Sequence, residues 1–134
     1  MNKFKLWDEV KLEGYEFKPE IFEQVDAVEG ESSRSLRGDK VGEVWDYYKW
    51  LGAYCRKFQP QQVVELGGAW GTAAIIMASE TSGSVYSITL PEEKAFVYAK
   101  KAYTNLIKVI GDDLDLNSWP KDLDLSQTDF WFID

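Results

Sequence analysis

The residues best suited to bind a polar ligand lie in one short stretch, Glu65-Leu-Gly-Gly-Ala-Trp-Gly71. Glycines at positions 67 and 71 allow a tight turn and a close approach of a ligand to the backbone, because no Cβ stands in the way. A helix that follows such a turn directs its free N–H groups at the bound molecule. We therefore predict that residues 65–71 form a ligand-binding turn.

The residue types of the chain exclude several kinds of catalytic chemistry. No histidine occurs among the 134 residues, which excludes Ser-His-Asp and Cys-His arrangements, histidine-ligated zinc and an imidazole base within this chain. Cys55 is the only cysteine, so the chain has neither an intrachain disulfide nor a multi-cysteine metal site. Proton transfer by this chain would have to use an Asp, Glu, Lys or Tyr side chain.

Charge and hydropathy narrow the class of partners. The chain has 15 Lys and Arg residues against 23 Asp and Glu residues, a formal net charge of −8. A general nucleic-acid-binding protein usually has a positive net charge, because its Lys and Arg side chains neutralise phosphates. No apolar run approaches the roughly 18 residues that a membrane span needs. With a single cysteine, the composition fits a reducing compartment, and we expect a cytoplasmic protein with no nucleic-acid or membrane partner.

The elements that must position residues 65–71 alternate between helices and strands. Apolar residues at steps of three and four predict a helix through residues 44–58 that ends before Pro60, with Cys55 on its buried side. Strands are predicted over residues 63–66, 84–89, 106–110 and 129–134. Helices are predicted over residues 72–79, apolar on all sides, and over 89–105, where Thr89 and Glu92 have capping-box spacing. One short helical turn is expected within residues 117–123.

This alternation predicts an α/β fold with right-handed βαβ units and a parallel sheet. Residues 41–134 would form one doubly wound, Rossmann-like unit. Residues 1–40, which contain a polar stretch with the composition of a loop, would form an N-terminal arm and loop.

The glycine spacing distinguishes two kinds of nucleotide-binding turn. The G-x-G-x-x-G pattern of dinucleotide enzymes does not fit, because Ala69 and Thr72 take its later positions. The pattern acidic-x-Gly-x-x-x-Gly does fit, and it resembles the first motif of class I S-adenosylmethionine-dependent methyltransferases. Val109-Ile-Gly-Asp112 resembles the end of that family's third strand, and Phe130-Trp-Phe-Ile-Asp134 resembles its fourth strand. The residues of these motifs are most similar to those of the small-molecule O-methyltransferase branch of the family.

The resemblance covers residues 41 to the end and implies a parallel sheet in strand order 3-2-1-4, an incomplete class I methyltransferase fold. It implies S-adenosyl-L-methionine as cofactor and methyl transfer to an oxygen of a small-molecule acceptor. The cofactor-binding residues that it implies are Glu65, Gly67, Gly68, Ala69, Trp70, Gly71, Thr89 and Asp112.

Individual roles also follow from the resemblance. Glu65 would help to hold the amino group of the cofactor, directly or through water, and Asp112 would accept a hydrogen bond from the adenine amino group. Asp134 would face the methyl-transfer site as the candidate catalytic residue, and it would bind a divalent cation only if the enzyme is metal-dependent. Trp70 would either cover the cofactor or pack on the protein.

Thr89 departs from the family pattern. It stands where the family has an acid that takes both ribose hydroxyls, and a neutral partner in that place costs about 1 to 3 kcal/mol of binding. The sequence therefore predicts weakened cofactor affinity.

Class I methyltransferases continue beyond their fourth strand, so we expect this chain to be the N-terminal portion of a longer enzyme. The alternative is a non-catalytic module that uses the same scaffold for protein association. Residues 130–133 are apolar on both faces, and an open edge would expose two large side chains and forfeit about 3 to 6 kcal/mol. We expect the N-terminal arm or a second copy of the chain to cover them, the latter giving a homo-oligomer.

Overall fold

The computed structural model of the chain describes residues 9–22, 43–67, 71–90, 103–112 and 114–133. The helices and strands that lie wholly within these residues follow one another as α1 (Glu43–Phe58), β1 (Gln62–Leu66), α2 (Thr72–Glu80), β2 (Ser84–Thr89), β3 (Leu106–Ile110) and β4 (Phe130–Ile133). Single 3-10 turns lie at Leu116–Ser118 and Leu125–Gln127. The helix predicted over residues 89–105 falls mostly outside the described residues.

The four strands form one parallel sheet in the order β3-β2-β1-β4. This confirms the predicted α/β class, the Rossmann-like sheet and the strand order 3-2-1-4. In the register of the sheet, Glu65 of β1 lies opposite Ser87 of β2 and Phe132 of β4. β3 and β4 are the two edge strands, so β1 and β2 lie at the centre.

Helices α1 and α2 cover one face of the sheet, which we call the helix side. Val63, Val85 and Phe132 point to this side and share a core with both helices. All nine residues of α2 are buried, as its apolar composition predicts. Cys55 of α1 is fully buried in the same core, as expected from its place in the apolar pattern.

The segment between β3 and β4 covers the opposite face. Its Trp119 and Leu123 pack against Val64, Ile88 and Val109 of the sheet. The side chain of Asp115 accepts from the backbone N–H of Asn117, and that of Asp124 accepts from Ser126, so each aspartate caps one 3-10 turn. The turn expected within residues 117–123 thus begins one residue earlier, and a second turn follows Asp124.

Residues 9–22 belong to the same core as the helices. Val10, Tyr15, Phe17 and Ile21 are buried with the residues of α1 and α2. The described part of the predicted N-terminal arm therefore packs on the helix side of the sheet.

The described residues cover only one of the two faces of the edge strand β4. Phe130 and Phe132 face the helix side, where their rings lie 4.4 Å from Tyr54 and 5.1 Å from Tyr47, centroid to centroid. Trp131 and Ile133 face the other way and are 41% and 71% exposed. This is the pair of exposed side chains expected for an open edge. Helix α1 packs on the buried face.

Candidate functional site

The glycine turn lies at the edge of the sheet where the parallel strands end. Gly67 follows β1, and its N–H donates to the carbonyl of Ile88 in β2 over 3.1 Å. Gly67 and Gly71 both have φ of 81°, the left-handed region that residues with a Cβ rarely adopt. Both ends of the predicted turn thus have a backbone conformation that favours glycine, and α2 begins directly behind Gly71.

Glu65 is a buried acid on the helix side of β1. Glu65 lies directly before the turn and is only 1% exposed. Ser87, its partner in the sheet register, donates its hydroxyl to Oε2 of Glu65 over 2.5 Å. Burying a carboxylate is costly unless it is hydrogen-bonded, and a hydrogen bond to a charged acceptor is short and strong. Ser87 therefore helps to hold the predicted acid in place.

Two threonine hydroxyls at the same edge are buried without a hydrogen-bond partner among the described residues. Thr89 is the last residue of β2 and shares the helix side with Ser87, two residues earlier. Thr72 is the first residue of α2. Neither side-chain oxygen is accessible to solvent, and neither has a hydrogen-bond partner among the described residues. Because buried polar groups are normally paired, these hydroxyls fit a polar ligand that supplies the missing hydrogen bonds.

Asp112 lies in the loop after β3, as predicted, and it is exposed. Its Oδ1 accepts from the N–H of Leu114 over 2.9 Å, and its carbonyl accepts from Nε1 of Trp119 over 2.8 Å. These bonds fix the shape of the loop at the carboxyl end of β3. The carboxylate of Asp112 thus also has a local structural role.

The other predicted site residues fall outside the described part of the chain. They are Gly68, Ala69 and Trp70 of the turn and the candidate catalytic residue Asp134. Within the described ranges, no three His, Cys, Asp or Glu residues lie close enough together to hold a metal ion.

Tyrosines are among the candidate proton acceptors, but several of the described tyrosines, Tyr15 and Tyr103 among them, have raised pKa values. Burial, followed by the charge of Glu80, raises the pKa of Tyr15 far above its usual value. Burial is also the main cause that raises the pKa of Tyr103 to about 12. Both phenols stay protonated at neutral pH, so neither is suited to act as a general base there.

Sequence reasoning missed Ser87 and Thr72 as site residues. Alternation along β2 places Ser87 and Thr89 on one face, and two polar residues there in an otherwise apolar core were a usable signal. The contact between Ser87 and Glu65 depends on the register of two strands, which the sequence alone does not show.

None of the described helices has the length and apolar character needed to cross a membrane. No protein-family model matches the chain, and a search of curated proteins found no match.

Proposed function

We propose that this chain is the cofactor-binding portion of an S-adenosylmethionine-dependent methyltransferase that acts on an oxygen of a small-molecule acceptor. The observation that carries the proposal is the buried carboxylate of Glu65 beside the left-handed Gly67, at the carboxyl edge of a parallel sheet. Ligands of doubly wound folds bind in the crevice at this edge. In the order β3-β2-β1-β4, β1 lies next to the point where the strand order reverses.

The residues of this edge fit the polar groups of the cofactor. Glu65 would accept from its ammonium group, and the unbonded hydroxyl of Thr89 would bond one ribose hydroxyl. Asp112, at the end of the neighbouring strand, would accept from the adenine amino group. Thr72 offers a further buried hydroxyl at the start of α2. Carboxylates also suit a ligand that has ammonium and sulfonium charges.

The chemistry requires little from the protein besides orientation. When bound, the cofactor would supply an electrophilic methyl group for in-line transfer to an acceptor oxygen, with S-adenosylhomocysteine as the leaving product. The glycine turn and Glu65 would fix the direction of the cofactor relative to the acceptor, which is the main contribution expected of the chain. Asp134 stays the candidate residue for the transfer site.

Calorimetric titration of the chain with S-adenosylmethionine tests the proposal. We expect saturable binding with a millimolar dissociation constant, because Thr89 replaces an acid. Glu65→Gln should weaken binding at least tenfold. Glu13→Gln, at an exposed position distant from Glu65 in the sequence, should leave binding unchanged. Absence of saturable binding at millimolar ligand would refute the proposal. Micromolar binding would show that a group other than Thr89 holds the ribose.

A second candidate is a non-catalytic module for protein association. The exposed Trp131 and Ile133 on the edge strand β4 favour it, since an open apolar strand edge readily pairs with another chain. A chain that binds no cofactor but associates through β4 would support this second candidate over the first.

A further inference from the structure

Ser87 was not among the residues expected to act at the site. We infer that Ser87 is a positioning residue, whose hydroxyl orients the carboxylate of Glu65 toward the ammonium group of the ligand. The inference rests on the proposed function, because it assigns Ser87 a part in binding that same ligand.

The sheet holds the donor itself rigidly in place. Ser87 lies in the central strand β2, where it pairs with Glu65 of β1 on one side and with Lys108 of β3 on the other. Ser87 is completely buried. A glutamate side chain has several rotatable bonds, so a fixed donor at 2.5 Å from Oε2 restricts the orientation of the whole carboxylate. The direction of the second oxygen is then restricted as well.

The polar pair is placed at the edge that would meet a ligand. Two residues earlier on the same strands and the same face, Val63 pairs with Val85, and this pair is apolar. Well-packed apolar residues of similar volume often stabilise a core at least as well as buried charged groups. Only at the carboxyl edge, next to the unbonded hydroxyl of Thr89, does the polar pair replace the apolar one. This position favours a role in ligand binding over a role in stability alone.

The test compares two ligands that differ in the amino-acid part, which includes the ammonium group. S-adenosylhomocysteine has it, whereas 5′-methylthioadenosine lacks the whole amino-acid part. By calorimetry, Ser87→Ala should weaken S-adenosylhomocysteine binding about tenfold and change 5′-methylthioadenosine binding less than twofold. Ser87→Thr keeps the hydroxyl and should restore most of the lost affinity. Ser79→Ala is the matched control, because Ser79 is also buried but donates to the carbonyl of Ile76 in α2.

A double-mutant cycle tests whether Ser87 acts through Glu65. In a Glu65→Gln background, Ser87→Ala should cause no further loss of S-adenosylhomocysteine affinity. If Ser87→Ala does not fold, as judged by circular dichroism, Ser87→Cys keeps the size with a weaker donor and should give a partial, ligand-selective loss.

The outcomes separate this inference from the proposed function. Equal losses for both ligands, or a full loss in the Glu65→Gln background, would overturn the role of Ser87 alone. Failure of the unmodified chain to bind either ligand would overturn the proposed function and this inference with it.

Discussion

Two buried glutamates are stabilised in different ways in this chain. Glu80, at the end of α2, accepts from Nε and Nη2 of Arg56 over 2.8 and 2.6 Å and from the hydroxyl of Tyr15 over 3.1 Å. Its charge is thus compensated by a bidentate ion pair. Glu65, at the opposite end of the βα unit, accepts from the neutral hydroxyl of Ser87. Both buried carboxylates thus accept hydrogen bonds, the first from a guanidinium and a phenol and the second from a serine hydroxyl.

At the residue scale, we predict that Cys55 makes the protein less stable in alkali. Burial, followed by the charge of Glu80, raises the pKa of its thiol from 9.0 to about 12. The folded state therefore keeps a proton that the unfolded state loses above pH 9. The stability that this group contributes is complete below pH 9 and is lost as the pH rises toward 12, by at most about 1.4 kcal/mol per pH unit.

Urea unfolding between pH 8 and pH 10 measures this effect. The free energy of unfolding should fall with pH more steeply for the native chain than for Cys55→Ala. The variant starts from a lower stability because it leaves a cavity, so the slopes are compared and not the absolute values. Parallel slopes would contradict the prediction.

At the scale of elements, Gly52 lets residues 9–22 pack closely on α1. A Cβ added at this position would lie 2.0 Å from the hydroxyl oxygen of Tyr15, so the tyrosine would have to move. That same hydroxyl donates to Glu80 of α2. A glycine in the middle of a helix thus allows a contact that joins three separate segments.

We therefore predict that Gly52→Ala destabilises the protein, although alanine favours a helix by about 1 kcal/mol. Displacement of Tyr15 would break a buried hydrogen bond to a charged acceptor, which is worth about 1.5 to 3 kcal/mol. We expect a net loss of about 1 kcal/mol in the free energy of unfolding, measured with urea. In a Tyr15→Ala background the clash is absent, and the same substitution should cost less or become stabilising. An equal cost in both backgrounds would contradict this account.

At the scale of the whole molecule, β4 is the most exposed apolar part of the sheet. Trp131 and Ile133 lie together on one face of this edge strand, which has no neighbour on its outer side among the described residues. Apolar edges of this kind pair with other strands. The net charge of −8 opposes association between copies, and salt weakens that repulsion.

We predict that the chain self-associates through β4, more strongly at high salt. Sedimentation velocity across the micromolar range should show a concentration-dependent rise in mass. Replacing both Trp131 and Ile133 by Lys should return the chain to a monomer. Leu114→Lys is the control, because Leu114 is 91% exposed but lies outside the strand. A monomer at all concentrations, or equal effects of both changes, would refute the prediction.

Local rules in the sequence were enough to predict most of the fold. β-Branched runs, helical spacing and glycines predicted the strands and helices, and the alternation predicted a parallel sheet. The left-handed φ of Gly67 and Gly71 and the complete burial of α2 were predictable for the same reason. Each of these features depends on residues a few positions apart, so the sequence alone determined them.

The tertiary structure decided the contacts between distant residues. Ser87 lies opposite Glu65 only because the register of β1 and β2 sets them side by side, 22 residues apart along the chain. Tyr15 and Glu80 are separated by 65 residues. No periodic pattern spans such distances, because hydrophobic burial specifies which face a residue takes but not which polar partner it meets there. Strand register and helix packing determine which polar partner a buried residue meets.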